Sequence, residues 1–219
     1  VEQEERIRLE GMLVFERRLQ REGHIRICGV DEAGRGPLAG PVVAAACILP
    51  EGALFERLND SKQLSAEIRE SLFRQISDCP GIQFGVAQAS VAEIDRYNIL
   101  RATYLAMRRA VAKLAEPPGY ILVDGNRSPD FEAPAQAIVE GDGKSLSIAA
   151  ASILAKVTRD RIMEEMDAKW PNYGFKRHKG YGTEQHLEAL RRFGPCPIHR
   201  KSFEPIKSMA LQEKQTELF

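Results

Sequence analysis

Ile25-Arg26-Ile27-Cys28-Gly29-Val30-Asp31-Glu32, running on into Ala33-Gly34-Arg35-Gly36-Pro37-Leu38-Ala39-Gly40-Pro41, is the stretch from which the rest of the chain can be read. Residues 25–31 have the apolar, β-favouring character of a strand, and the Gly/Pro-rich segment after them stops that strand and turns the chain. Residues 42–49, Val42 through Leu49, read as the returning strand. Two acidic residues therefore close an apolar run just before a glycine-rich turn. In α/β sheets functional groups collect at such points, where a rigid strand gives way to a free loop. The turn itself is neither of two common phosphate loops. No Gly-Lys-Ser/Thr follows it, which excludes a Walker loop. Glycines at 34, 36 and 40 have the wrong spacing for a dinucleotide fingerprint, and Pro37 and Pro41 would stop the helix that such a motif needs. What remains is a rigid loop with bare backbone around Arg35, able to admit a sugar-phosphate to the main chain and to hold a phosphate with the guanidinium.

Outward from this stretch, residues 2–22 carry alternating charge around Leu9, Met12, Leu13, Phe15 and Leu19, which predicts one amphipathic leading helix. Ser65, with Ile68 at the N3 position, predicts a helix over 66–77. Residues 82–89 read as a third strand, and 98–115 as a helix stopped by Pro117-Pro118-Gly119. Tyr120–Val123 is a short strand ending on Asp124, and Gln136–Val139 another ending near Asp142. The Ala-rich residues 146–168 and residues 184–192 read as helices, and the chain beyond Gly194 as irregular. This order implies an α/β fold with a mixed five-stranded sheet flanked by helices and a C-terminal helical extension. The expected organisation is an N-terminal helix over 1–24, a catalytic domain over 25–168, a basic extension over 169–208 and a tail over 209–219.

Composition narrows the function. The chain has 219 residues with 43% hydrophobic and 28% charged, ordinary for a globular protein. No apolar run approaches the roughly 20 residues of a membrane span, and the charged start Val1–Arg6 has no secretory h-region. Cys28, Cys47, Cys79 and Cys196 lie far apart, which fits a reducing cytoplasm better than a disulfide scaffold or a zinc knuckle. Charge balances at 31 against 31, but residues 169–207 hold nine Lys/Arg against three Glu, a surplus of six. A basic C-terminal third facing an acidic remainder suits a metal-dependent enzyme acting on a polyanion; a solvated helical surface is the alternative.

Asp31, Glu32, Asp124 and Asp142 are the candidate catalytic groups. If their strands are neighbours, they converge, and like charges that close need a shared proton or a cation. Oxygen ligands without His or Cys select Mg2+ or Mn2+, and two such ions would form the clamp used for in-line phosphoryl displacement. Helix caps or surface ion pairs are the competing roles for acids at these positions. Lys62, after Asn59-Asp60-Ser61, and Lys144 and Ser145 at the start of the Ala-rich helix are candidates for phosphate contact. Tyr181, between Gly180 and Gly182, is a candidate for stacking on a sugar or base, or else a turn residue filling a gap.

The motif Gly29-Val30-Asp31-Glu32-Ala33-Gly34-Arg35-Gly36-Pro37-Leu38-Ala39-Gly40-Pro41-Val42 resembles the signature of bacterial ribonuclease HII. The resemblance continues through Asp60-Ser61-Lys62, Val123-Asp124-Gly125, Gly141-Asp142 with Lys144-Ser145, Ser147–Val157, Gly180-Tyr181-Gly182-Thr183 and His199-Arg200-Lys201-Ser202-Phe203, in the family's order from about residue 27 to 206. It implies a ribonuclease H-like fold and an endonuclease that cuts RNA paired with DNA, including single ribonucleotides embedded in a DNA duplex. It also implies that Asp31, Glu32, Asp124 and Asp142 hold two Mn2+ or Mg2+ ions. Gly34, Arg35 and Gly36 would contact the nucleotide at the RNA–DNA junction and Tyr181 would stack on the neighbouring sugar, with 3′-hydroxyl and 5′-phosphate products. Two other classes share these features: a ribonuclease H-fold DNA nuclease indifferent to ribose, and a non-enzymatic nucleic-acid binder. The closing Gln215-Thr216-Glu217-Leu218-Phe219 is similar to the Gln-x-x-Leu-Phe peptide with which bacterial DNA-processing enzymes dock on the sliding clamp. That likeness implies Leu218 and Phe219 in an apolar pocket with Gln215 at its rim.

Overall fold

A computed structural model describes residues 2–209. Its sheet is built from β1 (Ile27–Ala33), β2 (Val42–Ile48), β3 (Gln83–Ala89), β4 (Tyr120–Asp124) and β5 (Ala135–Ile138), in the order β3-β2-β1-β4-β5. β1–β2 and β2–β3 pair antiparallel, whereas β1–β4 and β4–β5 are parallel. The helices are α1 (Gln3–Gly11), α2 (Val14–Arg21), α3 (Ala66–Asp78), α4 (Val91–Tyr97), α5 (Ile99–Val111), α6 (Leu146–Lys169), α7 (Phe175–His178) and α8 (Glu184–Phe193). No helix among the described residues is long and apolar enough to cross a membrane.

Every residue of β2, Val-Val-Ala-Ala-Ala-Cys-Ile, is buried, because helices cover both faces of the sheet. On one face Ala45 and Cys47 meet α6, α3 and Leu9 of α1; on the other Val42, Ala44 and Ala46 meet α5. The small residues of α6 allow it to lie almost on the backbone of β1. A Cβ on Gly29 would fall 2.1 Å from the Ser147 carbonyl carbon, so that crossing admits no side chain. A third cluster joins Leu38 and Ala39 to Met163, Tyr173, Phe175 and Leu190, and so seats the C-terminal helices against the 34–41 loop.

Two helical regions of the N-terminal half depart from the sequence reading. The leading helix is two helices, α1 and α2, parted at Met12-Leu13. The break lets Met12 turn into the core while its carbonyl accepts from Leu146 N at 3.0 Å, at the start of α6. The helix expected over 98–115 is preceded by a separate α4 and ends at Val111. Asn98, at φ 68°, divides the two and caps α5 by accepting from Arg101 N at 3.1 Å. The Ser65 cap forms as the sequence predicts, accepting from Ile68 N over a helix at Ala66–Asp78.

Candidate active site

Parallel pairing of β1 with β4 runs from Ile27↔Tyr120 to Val30↔Val123, so the next residues, Asp31 and Asp124, come side by side at the same sheet edge. β1 runs on to Ala33, two residues past the expected end, so Glu32 as well as Asp31 stands on a paired strand. β5 leads to Glu140, in left-handed conformation at φ 56°, and then to a 3-10 turn at Gly141–Gly143 that carries Asp142. The turn is tied down by Gly141 N, which donates to Asp124 Oδ1 at 2.6 Å. Carboxylate oxygens of Asp31, Asp124 and Asp142 consequently all lie within 4.8 Å of one another. Among the described residues this is the one group of three His, Cys, Asp or Glu side chains close enough to share an ion.

Glu32 stands apart from that group. It lines the same cleft, of about 450 Å³, but its Oε1 accepts from Arg35 Nη1 at 3.4 Å. Burial, then the neighbouring Glu32 and Asp124 charges, push the Asp31 carboxyl well above the usual range. Burial also raises Glu32, with Arg35 working against it. Asp142 is pushed up to about 6 by burial, then by Asp124 and Asp60, while Lys62 opposes. Such a group cannot hold all its charges at neutral pH unless a cation offsets them. The donor set, oxygen alone, fits a hard divalent ion of the Mg2+ or Mn2+ kind.

The other predicted residues divide between those at this cleft and those elsewhere. Gly34, Arg35, Gly36, Lys62 and Tyr181 line it. Lys62 Nζ lies 3.6 Å from Asp142 Oδ2. Partial burial works against its charge, but Asp142, Asp60, Asp31 and Asp124 together outweigh that and raise the Lys62 ammonium. The two glycines differ. Gly34 has φ +98°, and a Cβ there would fall 1.9 Å from Arg159 Nε, so its bareness serves internal packing. At Gly36 a Cβ would meet only Tyr181 Cε1, at 3.7 Å, an ordinary contact. No neighbour in the fold demands glycine at 36, which stands beside the half-exposed Tyr181 ring.

Ser145 departs from the expectation of phosphate contacts at the start of α6, whereas Lys144 stays at the surface. Ser145 is fully buried; its hydroxyl donates to Glu16 Oε1 at 2.6 Å and accepts from Ile148 N at 3.3 Å. Glu16, on α2, also accepts from Ser147 N at 3.1 Å and Ser147 Oγ at 2.7 Å. A carboxylate of the chain itself thus occupies the helix terminus where a phosphate was expected. Lys144 Nζ donates to Val139 O at 2.7 Å and lines a separate hollow with Arg8, Met12, Phe15 and Asn59.

Several contributors escaped the sequence reading of the site. Asp60 acts on Asp142 and accepts from Lys62 N at 2.9 Å; its place in Asn-Asp-Ser-Lys was the available signal. Ser152, on α6, lines the cleft with Asp31, and its hydroxyl donates to Ser61 Oγ at 2.9 Å. Arg159 and Arg200 lie buried beneath the 34–41 loop; the His199–Phe203 motif was the available signal for Arg200, and none marked Arg159. Beyond Tyr181 the cleft meets a groove that shares Arg69, Lys156 and Tyr181 with it and adds Lys176, Arg177 and Lys179.

A carboxylate cluster on a mixed sheet, opening beside a glycine-rich loop and a basic groove, has counterparts among known proteins. The family model described as ribonuclease HII matches residues 28–206. Ribonuclease HII of Syntrophotalea carbinolica is 53% identical over 195 residues, covering 89% of this chain and 93% of that one. The crystal structure of ribonuclease H2 from Pyrococcus horikoshii superposes with a TM-score of 0.71 at 30% identity, covering 87% of this chain and 99% of that chain. Ribonuclease HII of Archaeoglobus fulgidus, solved in complex with PCNA, gives a TM-score of 0.64 at 26% identity, covering 82% and 96%. Since the matched span contains the sheet from Cys28 onward, the acids and the loop, the chain belongs to the ribonuclease HII family and is a metal-dependent endoribonuclease with a ribonuclease H-like fold.

Proposed function

We propose that the chain cuts the RNA strand of RNA/DNA hybrids, and cuts on the 5′ side of single ribonucleotides embedded in duplex DNA, leaving 3′-hydroxyl and 5′-phosphate ends. The observation that carries this reading is one cleft uniting Asp31, Glu32 and Asp124 with the 34–36 loop and Tyr181, with the Asp142 carboxylate clustered against Asp31 and Asp124. Asp31, Glu32, Asp124 and Asp142 would hold two Mg2+ or Mn2+ ions. Bound there, such ions supply a water nucleophile at neutral pH and neutralise charge on the phosphate. Asp124 is oriented by the Gly141 amide and Asp31 by the Glu32 amide, which donates to its Oδ1 at 2.7 Å, so these acids are set before substrate arrives. The half-exposed Tyr181 ring beside Gly36 suits stacking on a sugar at the mouth of the cleft, with the 2′-hydroxyl read by the loop. Arg35, half-exposed, and Lys62 are placed to meet phosphates on either side.

Cleavage mapping tests this reading on a duplex with one ribonucleotide, beside an all-DNA duplex, with Mn2+, Mg2+ or chelator. A single cut 5′ of the ribonucleotide, metal-dependent and absent from all-DNA, is expected. Equal cutting of both duplexes would instead indicate a ribose-indifferent nuclease. Undiminished binding in chelator with no cleavage on adding Mn2+ would indicate a binding protein.

Gln215, Leu218 and Phe219 lie outside the described residues. We propose that this tail docks on the bacterial sliding clamp, a reading supported by its Gln-x-x-Leu-Phe pattern and by the Archaeoglobus relative captured with PCNA. Deleting 215–219 should abolish clamp pull-down and leave cleavage of naked substrate unchanged; retained pull-down would dispose of it.

A further inference from the structure

Two guanidinium groups are buried beneath the 34–41 loop, Arg159 of α6 at 1% exposure and Arg200 at 0%. Among the described residues neither has a carboxylate in ion-pair range; Asp160 and Asp95 act on them only at longer reach. Their donors go to backbone carbonyls instead. Arg200 Nε donates to Gly40 O at 3.0 Å, Nη1 to Arg35 O at 2.8 Å and Nη2 to Gly34 O. Arg159 donates to Pro41 O at 3.0 Å, Ala39 O at 3.1 Å and Lys179 O at 3.0 Å. The loop they grip has no repeating hydrogen-bond pattern of its own, since prolines and glycines deny it one. Lys179 precedes Gly180-Tyr181, whose Gly180 O accepts from Leu38 N at 2.8 Å, so Arg159 ties the tyrosine-bearing turn to the same assembly.

Burying two unpaired cations is costly, and carbonyl hydrogen bonds return only part of that cost. Neutral donors would fix a loop more cheaply, but none presents several N–H groups in one rigid plane as a guanidinium does. We propose that Arg159 and Arg200 are positioning residues that set ribose selectivity, by holding Gly34-Arg35-Gly36 and Tyr181 in one fixed relation before substrate binds. This rests on reading that loop as the ribose sensor. Neither side chain needs to touch substrate; each acts through the carbonyls it holds, which fix the peptide planes of the loop that lines the cleft.

The test is Arg200→Lys and, separately, Arg159→Lys, which keep the charge and lose the planar fork. Folding is checked by thermal melts. KM and kcat are measured with Mn2+ on a single-ribonucleotide duplex, and Kd on an all-DNA duplex of equal length. The expected result is a KM raised about tenfold, the scale of one charge-assisted hydrogen bond, with kcat changed far less and all-DNA affinity unmoved. Folded lysine variants with wild-type KM, or a fall in kcat alone, would overturn the assignment. Unfolding of both would overturn it too, by making the arginines staples of the whole domain. If the wild-type protein itself fails to distinguish the two duplexes, the sensor reading falls first. If wild type distinguishes them and the variants do so equally, only the role of the arginines falls.

Discussion

Asp142→Asn should stabilise the metal-free protein while removing its activity. The Asp142 carboxyl is pushed up to about 6, from an ordinary 3.8, first by burial and then by Asp124 and Asp60. That gap of about 2 pH units corresponds to about 3 kcal/mol of disfavoured ionisation. The cleft is open to water and the group is coupled to its neighbours, so about half, roughly 1–2 kcal/mol, is a sounder expectation. The sign follows from proton binding. Between pH 4 and 6 the folded state holds more protons at this site than the unfolded chain, so stability falls as pH rises and the penalty is fully present above about 6. Asparagine carries no such charge. In chelator at pH 7.5 the variant should melt roughly 3–6 °C above wild type, and the difference should vanish near pH 4. Adding Mn2+ should raise the melting temperature of wild type much more than that of the variant, while cleavage falls by roughly a hundredfold or more. Urea or thermal melts across pH, with and without Mn2+, read all of this. An unchanged or lower melting temperature in chelator, or cleavage near the wild-type rate, would refute the view that Asp142 belongs to a repelling, cation-holding group.

Asp31→Asn should likewise abolish turnover with the fold intact; retained cleavage in Mg2+ would exclude it as a metal ligand. Gly36→Ala should fold like wild type yet raise KM for ribonucleotide-containing duplexes, whereas Gly34→Ala should lose at least about 1–3 kcal/mol through its positive φ and its collision with Arg159. Equal stabilities in urea titrations would contradict that distinction. Burial pushes His186 and His199 down to about 4, and each also suffers from a neighbouring histidine. Their Nε2 atoms lie 2.9 Å apart, and His186 Nδ1 meets Tyr181 O at 2.9 Å. The unfolded chain takes up these protons first, so stability should drop by about 3 kcal/mol between pH 6.5 and 4; a His186→Gln variant with the same slope would show otherwise. Glu16→Ala strips hydrogen bonds from Ser145 and Ser147 and should cost about 2–4 kcal/mol in urea unfolding.

The sheet was legible because its strands are short apolar runs punctuated by Gly, Pro and Asp, as at Tyr120–Asp124. The acids were legible because each closes or follows such a run. Strand order was not, since nothing local in Val30-Asp31 and Val123-Asp124 says that they lie side by side; that is a consequence of parallel pairing. Ser145 misled for a related reason. A helix start with Lys and Ser looks like an anion site in one dimension, and only the tertiary return of α2 reveals Glu16 already there. The break at Met12 had a local signal that went unread, Gly11 at the head of the uncharged run Gly11–Phe15, while its tertiary cause, a contact with Leu146, was hidden. Arg159 sits in sequence that reads as surface, and its burial, like that of Arg200, follows from the path of a loop more than a hundred residues earlier.

The capping of α6 by Glu16 also bears on how the protein grips a nucleic acid. Its longest described helix points its electropositive end at an internal carboxylate, so that dipole contributes little to a polyanion outside. Attraction must then come from side-chain cations such as Arg35, Lys62 and Lys176, which are wetted and readily screened. Duplex affinity should therefore decline steeply with ionic strength, leaving recognition of the sugar, a short-range matter of shape, as what persists in concentrated salt.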